Sequence, residues 1–467
     1  MTAQEMDAMV QGVFDNIFNS VTKAEPGGKP IASASTTMLT LMKPGMAINP
    51  ADYRNPWTPG NNGGSQDAAI NNARLVDAIP LANTLYSDSG KTISQVYGDM
   101  LQSVAIPKQP ANPANEAQLN AAYAVLWRSV DVTDPDTGEV KPLTMETQLY
   151  RDYLDNQTAY QNARLAYLQA YLAAQETSQG RNTWPLISPT MQIPVKQAWD
   201  KWRSGKADLI EQNLAIMNTC NQNGLQKAWY KAQALFEGYG AGLDETGGGS
   251  VAVHRVNLIP SNWYSSNDNS GWATVKIAAG SASTDSSSDY QKWGGSAGFS
   301  LGIWSIGASA GGSKESRHFS SQTQNLSFEF SYKLVGIRRP WMSYHLLGTK
   351  TWNLGNFSAI KGGISNGTKN QQDTMWPLMP VSFVVAKGIK IKASWAQADW
   401  EMMKKTLSVG GSVGIGPFSI GGSYYQSHSE EHWSSAFASG EIIVPGVQII
   451  GWINSIVPYC APENMPI

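Results

Sequence analysis

Histidine is the first place to look for chemistry in this sequence, and of its five histidines only His428 and His432 stand close together, in SHSEEHW around Glu430 and Glu431. Residues four apart share one face of a helix, so that spacing could hold a zinc ion. The flanking residues read as strand, however, and the HExxH order of zinc proteases is absent, so a solvated polar turn is expected. His318 and His432, which align in the repeat described below, are each expected on a strand face.

Other catalytic signatures are missing. Gly-rich stretches such as GGSAGFSLG carry no P-loop lysine and do not run from strand into helix ahead of a ribose-binding acid. There is no GxSxG elbow, and the two cysteines, Cys220 and Cys460, form no CxxC motif and read as reduced thiols. No catalytic residue, metal or cofactor is expected, and the chain reads as a non-enzyme.

Recognition residues are easier to nominate. In GIRRPWMSY, Arg338, Arg339, Trp341 and Tyr344 combine guanidinium with aromatic faces, a set suited to carboxylate, phosphate or glycan; the alternative is a strand-ending turn with solvated arginines. Lys390 and Lys392 share a strand face opposite Ile389 and Ile391, a pattern that guards a sheet edge or meets an anionic lipid surface. Of seventeen tryptophans eleven lie beyond residue 250, as sugar-stacking platforms or, more commonly, as core anchors.

The strongest pattern is an internal repeat. At a fixed offset of 114, FSLGIWSIGASAGGSKESRHFSS at 299–321 aligns without gaps with VGIGPFSIGGSYYQSHSEEHWSS at 413–435, and nine of 23 positions are identical. In each copy the apolar residues fall on odd numbers, Phe299 and Leu301 or Val413 and Ile415, and then on even ones, Trp304 and Ile306 or Phe418 and Ile420. A bend or bulge is expected at Gly302-Ile303 and at Gly416-Pro417, giving two related hairpins whose tips carry Trp304 and Phe418.

Such apolar/Ser-Gly alternation over about 10 residues per strand suits one hairpin of a transmembrane β-barrel, with aromatics at the interface. It equally suits strands of a pseudo-symmetric sandwich. Two amphipathic hairpins in one β domain resemble pore-forming proteins of the perforin and aerolysin kinds. That resemblance covers a small part of the chain and implies a non-enzymatic, oligomerising, membrane-active function, with Phe299, Leu301, Ile303, Trp304, Ile306, Val413, Ile415, Phe418 and Ile420 as membrane contacts. The alternative is a structural self-assembling subunit of a lattice, tube or filament, and a weaker one is a glycan-binding module.

The elements that must position these residues divide the sequence. An amphipathic helix opens it, followed over 24–65 by Pro, Gly and Asn typical of an arm. Helical spacing dominates 66–240, with helices near 67–78, 92–104, 114–130, 144–176 and 194–237; the last two form a long antiparallel hairpin whose return lies in the Pro-rich segment QGRNTWPLISPTMQIP, 179–194. GYGAGLDETGGGS at 238–250 marks a boundary near Gly247. Beyond it, period-two strands are expected at 251–259, 271–279, 295–313, 319–337, 381–394, 406–428 and 433–450. The fold class is therefore α+β: an N-terminal helix and arm (1–65), a helical domain (66–240) and a sandwich-like antiparallel β domain (250–467).

A formal net charge of −2, with 15% charged residues and no single-sign run, excludes a nucleic-acid footprint. The expected partners are further copies of the chain, and membrane lipid or a cell-surface glycan. The first residues lack a basic start and cleavage site, so the protein is expected to be made soluble in the cytoplasm without a signal peptide, any release being non-classical. Asn-x-Ser/Thr matches at Asn156, Asn325, Asn356 and Asn366 carry no weight without a secretory route.

Overall fold

The computed structural model describes the chain apart from residues 1–2, 24–29, 34, 59–60, 62, 105–112, 134–137, 176, 219–221, 244–251, 268–270, 279–303, 308–314, 318, 350–351, 353–362, 370, 372–373, 422–426, 428 and 461–467. It is a mixed helix and sheet protein built on a large antiparallel sheet.

In chain order, helix α1 (Ala3–Thr22) precedes strand β1 (Thr37–Ala47), α2 (Gln66–Leu75), β2 (Ala78–Pro80) and β3 (Asp88–Thr92). Next come α3 (Ile93–Ser103), α4 (Pro113–Leu126), β4 (Trp127–Thr133) and β5 (Val140–Glu146). Four helices follow: α5 (Gln148–Gln175), α6 (Ser178–Ser204), α7 (Ala207–Asn218) and α8 (Gln222–Gly238). Strands β6 (Gly240–Leu243), β7 (Ala252–His254), β8 (Asn257–Ile259), β9 (Ala273–Ala278), β10 (Trp304–Gly307), β11 (Glu315–Arg317) and β12 (Gln324–Arg338) lead to the short helix α9 (Tyr344–Gly348). The chain then runs through β13 (Leu378–Ser394), α10 (Gln397–Ser408), β14 (Ser412–Ile415), β15 (Phe418–Gly421), α11 (Glu430–Ser439) and β16 (Glu441–Ile456).

The large sheet has the order β1-β16-β13-β12, with β8 and β9 both on the outer side of β12. Leu326, Phe328, Phe330, Tyr332 and Leu334 of β12 recur at every second residue and face one buried cluster with Ile389, Ile391 and Ala393 of β13. Helix α1 lies on that face because Met9, Val13, Ile17 and Val21 recur every four residues, with Phe14 and Phe18 beside them, all buried. Tyr332 donates its phenol to Ser20 Oγ at 2.6 Å, so the buried hydroxyl is satisfied.

The sheet bends. Register shifts fall between Glu329 and Ser331 on β12, at Gly388 (φ +59°) on β13, and on β16 at Pro445-Gly446, opposite Gly388. An extra residue in one strand kinks it and increases its twist, so aligned bulges crease the sheet across its width. β13 pairs with neighbours on both sides, which corrects the edge-guarding reading of Lys390 and Lys392. Lys390 instead meets Glu329 at 3.1 Å, and Glu329 reaches Lys276 of β9 at 2.9 Å, a charge ladder across three strands.

A second buried cluster joins α3, α4, α5, α7 and α8 to Trp341, Trp352 and Trp376. Residues 1–65, expected to be a helix and an arm, supply α1 and the sheet strand β1, so the buried clusters run across both expected divisions. β6 and β7 pair antiparallel around the expected boundary, whose centre, Gly247, lies outside the described residues.

Helices α5 and α6 lie antiparallel, but α6 already begins at Ser178, so the Pro-rich 179–194 segment is helix and not the return. Thr177 caps α6 by accepting from Gly180 N at 2.9 Å, and α6 contains Pro185, Pro189 and Pro194. Each internal proline costs about 3 kcal/mol. Side-chain contacts along the whole seam offset that cost: Tyr171 and Tyr167 on Trp184, Gln192 to Tyr167 Oη at 2.9 Å, Tyr160 on Trp199, and Tyr153 on Trp202. The single helix expected at 194–237 is broken at Gly205-Lys206, where Lys206 has φ +60°, between α6 and α7; residues 219–221, between α7 and α8, lie outside the described residues. No helix among the described residues is long and apolar enough to cross a membrane.

Candidate functional site

The repeat sits in the two connections between neighbouring strands of the large sheet. Residues 279–323 join β9 to β12, and residues 395–440 join β13 to β16. Their roots are at one end of the sheet, because Ala278 pairs with Ser327, Gln324 with Ser394, and Lys392 with Glu441. Each connection is long enough for two membrane-spanning strands of about 9–11 residues and a turn.

The roots are tied together. Asp399 Oδ2 accepts from Ser320 N at 2.9 Å and from Thr323 Oγ1 at 2.6 Å, and Ala396 N donates to Thr323 Oγ1 at 2.8 Å. Asp399 and Thr323 are buried, so the end of the first connection and the start of the second share one hydrogen-bonded knot.

Beyond the roots, strands of both copies form a four-stranded sheet in the order β11-β10-β14-β15, where Trp304 pairs with Ile415 and Ile306 with Val413. In the second copy Val413 faces Ile420 and Ile415 faces Phe418 across a two-residue turn at Gly416-Pro417. Gly416 has φ +58°, as a Gly-first hairpin turn requires. That turn explains the odd-to-even phase change. A two-residue loop makes opposite partners differ in parity, so all four residues share one face.

That face is wholly buried. Val413, Ile415, Phe418 and Ile420 have no exposed surface, and Phe418 stands 5.5 Å from Phe328 and 4.9 Å from Phe330 of the large sheet. Burial of each such side chain is worth about 1.5–3 kcal/mol. The four nominated contacts of the second copy are thus core residues in this state, and the tip carries Gly416-Pro417 while Phe418 lies in the strand. Phe299, Leu301 and Ile303 lie outside the described residues. Trp304 and Ile306 are placed in β10 by their backbone pairing.

Two polar contacts hold the tip. The side chain of Gln448, on β16, accepts from Ser419 N at 2.8 Å and donates to Ser419 O at 2.5 Å. Gly45 N of β1 donates to Pro417 O at 2.9 Å, and a Cβ on Gly45 would stand 2.4 Å from that oxygen, so only glycine allows the approach.

The nominated recognition set is corrected by its burial. Arg339 donates to Pro380 O at 2.8 Å and Val76 O at 2.6 Å and is buried, and Trp341 packs among Tyr97, Phe236 and His254. Arg338 pairs with Asp155 at 3.0 Å, its side chain only 11% exposed, beside Glu146, whose carboxyl is pushed up by burial despite Arg338 and Arg151. Tyr344 alone of the four is exposed. Trp229, Trp263, Trp341, Trp352, Trp376 and Trp433 are fully buried, which removes their faces from any sugar.

Alternation predicts strand over 406–428 and 433–450, but α10 ends at Ser408 and α11 covers 430–439. The missed signals were local. Ser429 Oγ accepts from His432 N at 3.3 Å, Glu430 and Glu431 fill the first turn, and Gly440 closes the helix at φ +69°. His432 is therefore in the first turn of a helix, and neither in a polar turn nor on a strand face; His428 and His318 lie outside the described residues. Among the described residues no group of histidine, cysteine and acidic side chains could hold a metal.

Comparison with protein-family models, with curated proteins and with solved structures finds no match for this chain.

Proposed function

We propose that this chain is a non-enzymatic, membrane-active protein that oligomerises and forms pores, its two connections leaving the sheet to become amphipathic hairpins. The single observation that carries this reading is that the duplicated segments occupy 279–323 and 395–440, rooted at one end of a creased antiparallel sheet. Released there, each connection continues an existing strand pair, β9/β12 or β13/β16, without any new topology. Until then the apolar face of the second hairpin is shielded against Phe328 and Phe330.

Membrane spanning by strands requires a closed barrel, since no edge can be left unpaired in lipid, so the reading demands several copies of the chain. The same apolar face then exchanges protein core for hydrocarbon. The six fully buried tryptophans offer the glycan-binding alternative no platform.

The test is leakage of dye-loaded liposomes, combined with single cysteines carrying an environment-sensitive dye on a background with Cys220 and Cys460 replaced. Val413 and Ile415 should report hydrocarbon after lipid is added, while Gly414 and Ser419 stay in water, and electron microscopy should show rings. Sealed liposomes and unchanged dyes with every lipid composition would leave the self-assembling structural reading in its place.

A further inference from the structure

A cavity of about 580 Å3 opens where β5, the start of α5, the junction of α8 with β6, and β8 meet. Arg338, the last residue of β12, belongs to it, so it lies at the end of that strand away from the hairpin roots at Gln324. Met145, Val256 and Leu258 give it an apolar wall. A concave, partly apolar space of this size with a few polar groups suits a small molecule.

Two buried polar side chains line the cavity. Glu146, which ends β5, is 6% exposed, and Tyr239, between α8 and β6, is 5% exposed. Among the described residues neither the carboxyl nor the hydroxyl makes a hydrogen bond, and the carboxyl has no ion pair. Arg338 pairs with Asp155 at 3.0 Å instead. Burial therefore outweighs the pull of Arg338 and Arg151 and holds the Glu146 carboxyl above its ordinary range. Buried polar groups are normally paired, so both await a donor from outside the chain. A cation stands at the same cavity. Arg151, in the first turn of α5, is partly exposed and donates from Nη2 to Gln148 Oε1 at 2.8 Å, but forms no ion pair among the described residues. Its charge acts on both Glu146 and Tyr239, so carboxyl, hydroxyl and guanidinium share one short range.

We infer that this cavity binds a free α-amino acid with an apolar side chain, its ammonium donating to the Glu146 carboxylate and the Tyr239 oxygen, its carboxylate at Arg151, and its side chain on Met145, Val256 and Leu258. Each part of the ligand answers one observation. A buried carboxyl beside a buried hydroxyl calls for a cationic donor, a guanidinium without an acid calls for a carboxylate, and the short range between them calls for a compact zwitterion. An amine lacking the carboxylate would leave Arg151 unmatched. A carboxylic acid lacking the amine would leave Glu146 and Tyr239 unmatched.

Isothermal titration of the full chain with leucine, methionine and phenylalanine tests the assignment. At least one should bind, one per chain, about tenfold or more tighter than its amide, which lacks the carboxylate, and than its deaminated acid, which lacks the ammonium; tenfold is the scale of one charge-assisted hydrogen bond. Glu146→Gln should erase the advantage over the deaminated acid, and Arg151→Gln the advantage over the amide, a division that a merely structural loss would not produce. Should Glu146→Gln fail to fold, Arg151→Gln at its partly exposed position retains the fold and carries the test. Binding of none of the three amino acids, equal affinity for the analogues, or undiminished affinity in either folded variant would overturn the assignment. Liposome leakage does not enter any of these readouts, so pore formation and amino-acid binding can fail separately.

Discussion

Gln448 grips Ser419 from both sides, its amide accepting from the serine N–H and donating to the serine carbonyl, at 2.8 Å and 2.5 Å. A side-chain amide thereby supplies what a neighbouring strand would otherwise give, and it fastens the hairpin at 412–421 to β16. Gln448 is buried, so water does not replace the contact.

Replacing Gln448 with leucine should leave two backbone groups of Ser419 unpaired, at a cost of about 1–3 kcal/mol for each buried group. Hydrogen exchange at 412–421 should accelerate while that of β12 and β13 remains slow. On the proposed function, leakage of liposomes should also begin at lower protein concentration. Unchanged exchange at 412–421 would show that apolar burial alone holds the hairpin.

Asp399 should couple the two connections. Removing its carboxylate in Asp399→Ala deprives Ser320 N and Thr323 Oγ1 of their acceptor, and about 1.5–3 kcal/mol follows the loss of a hydrogen bond to a charged group. Exchange should rise together at 320–323 and 396–399, in contrast to the one-sided effect at Gln448. A response confined to 396–399 would separate the two segments.

Stability should fall in mild acid through His254. Burial lowers its imidazole to about 4 from the ordinary 6.5, and its ring stacks on Phe236 at 3.8 Å. As pH drops below 6.5 the unfolded chain takes up the proton first, so the contribution of this buried neutral ring is whole above pH 6.5 and is lost progressively down to about 4. His345, lowered to about 4 by burial, adds in the same window. Urea midpoints measured across that range should fall less steeply in His254→Phe, and an identical slope would remove His254 as a cause.

Arg339 should behave as a structural residue. Arg339→Met strips two carbonyls, Val76 O and Pro380 O, of a charged donor and should cost about 3 kcal/mol or more. Thermal denaturation reads that loss. If instead the variant kept full stability while losing affinity for anionic liposomes, Arg339 would belong to a recognition surface after all.

Local rules account for much of what was legible in the residues. Four-residue spacing placed α1, and period-two alternation marked β12 and β13, because each pattern is the pitch of its own element. The caps at Ser429 and Gly440 are equally local and mark a helix over 430–439, ahead of the alternation of β16. Long-range matters were not readable in this way. The three prolines of α6 forbid a helix by propensity, and only the aromatic seam with α5 reverses that. The matched spacing of Val413, Ile415, Phe418 and Ile420 established one apolar face but not what covers it, since Phe328 and Phe330 are distant in sequence. Likewise GIRRPWMSY presents the composition of a surface, yet Val76, Pro380 and Tyr97 enclose it. The sequence by itself determined the periodic faces and the duplication, which depend on neighbours a few residues away. Only the tertiary structure decided that both copies hang from one end of one sheet, because strand order and burial depend on partners that no local spacing can name.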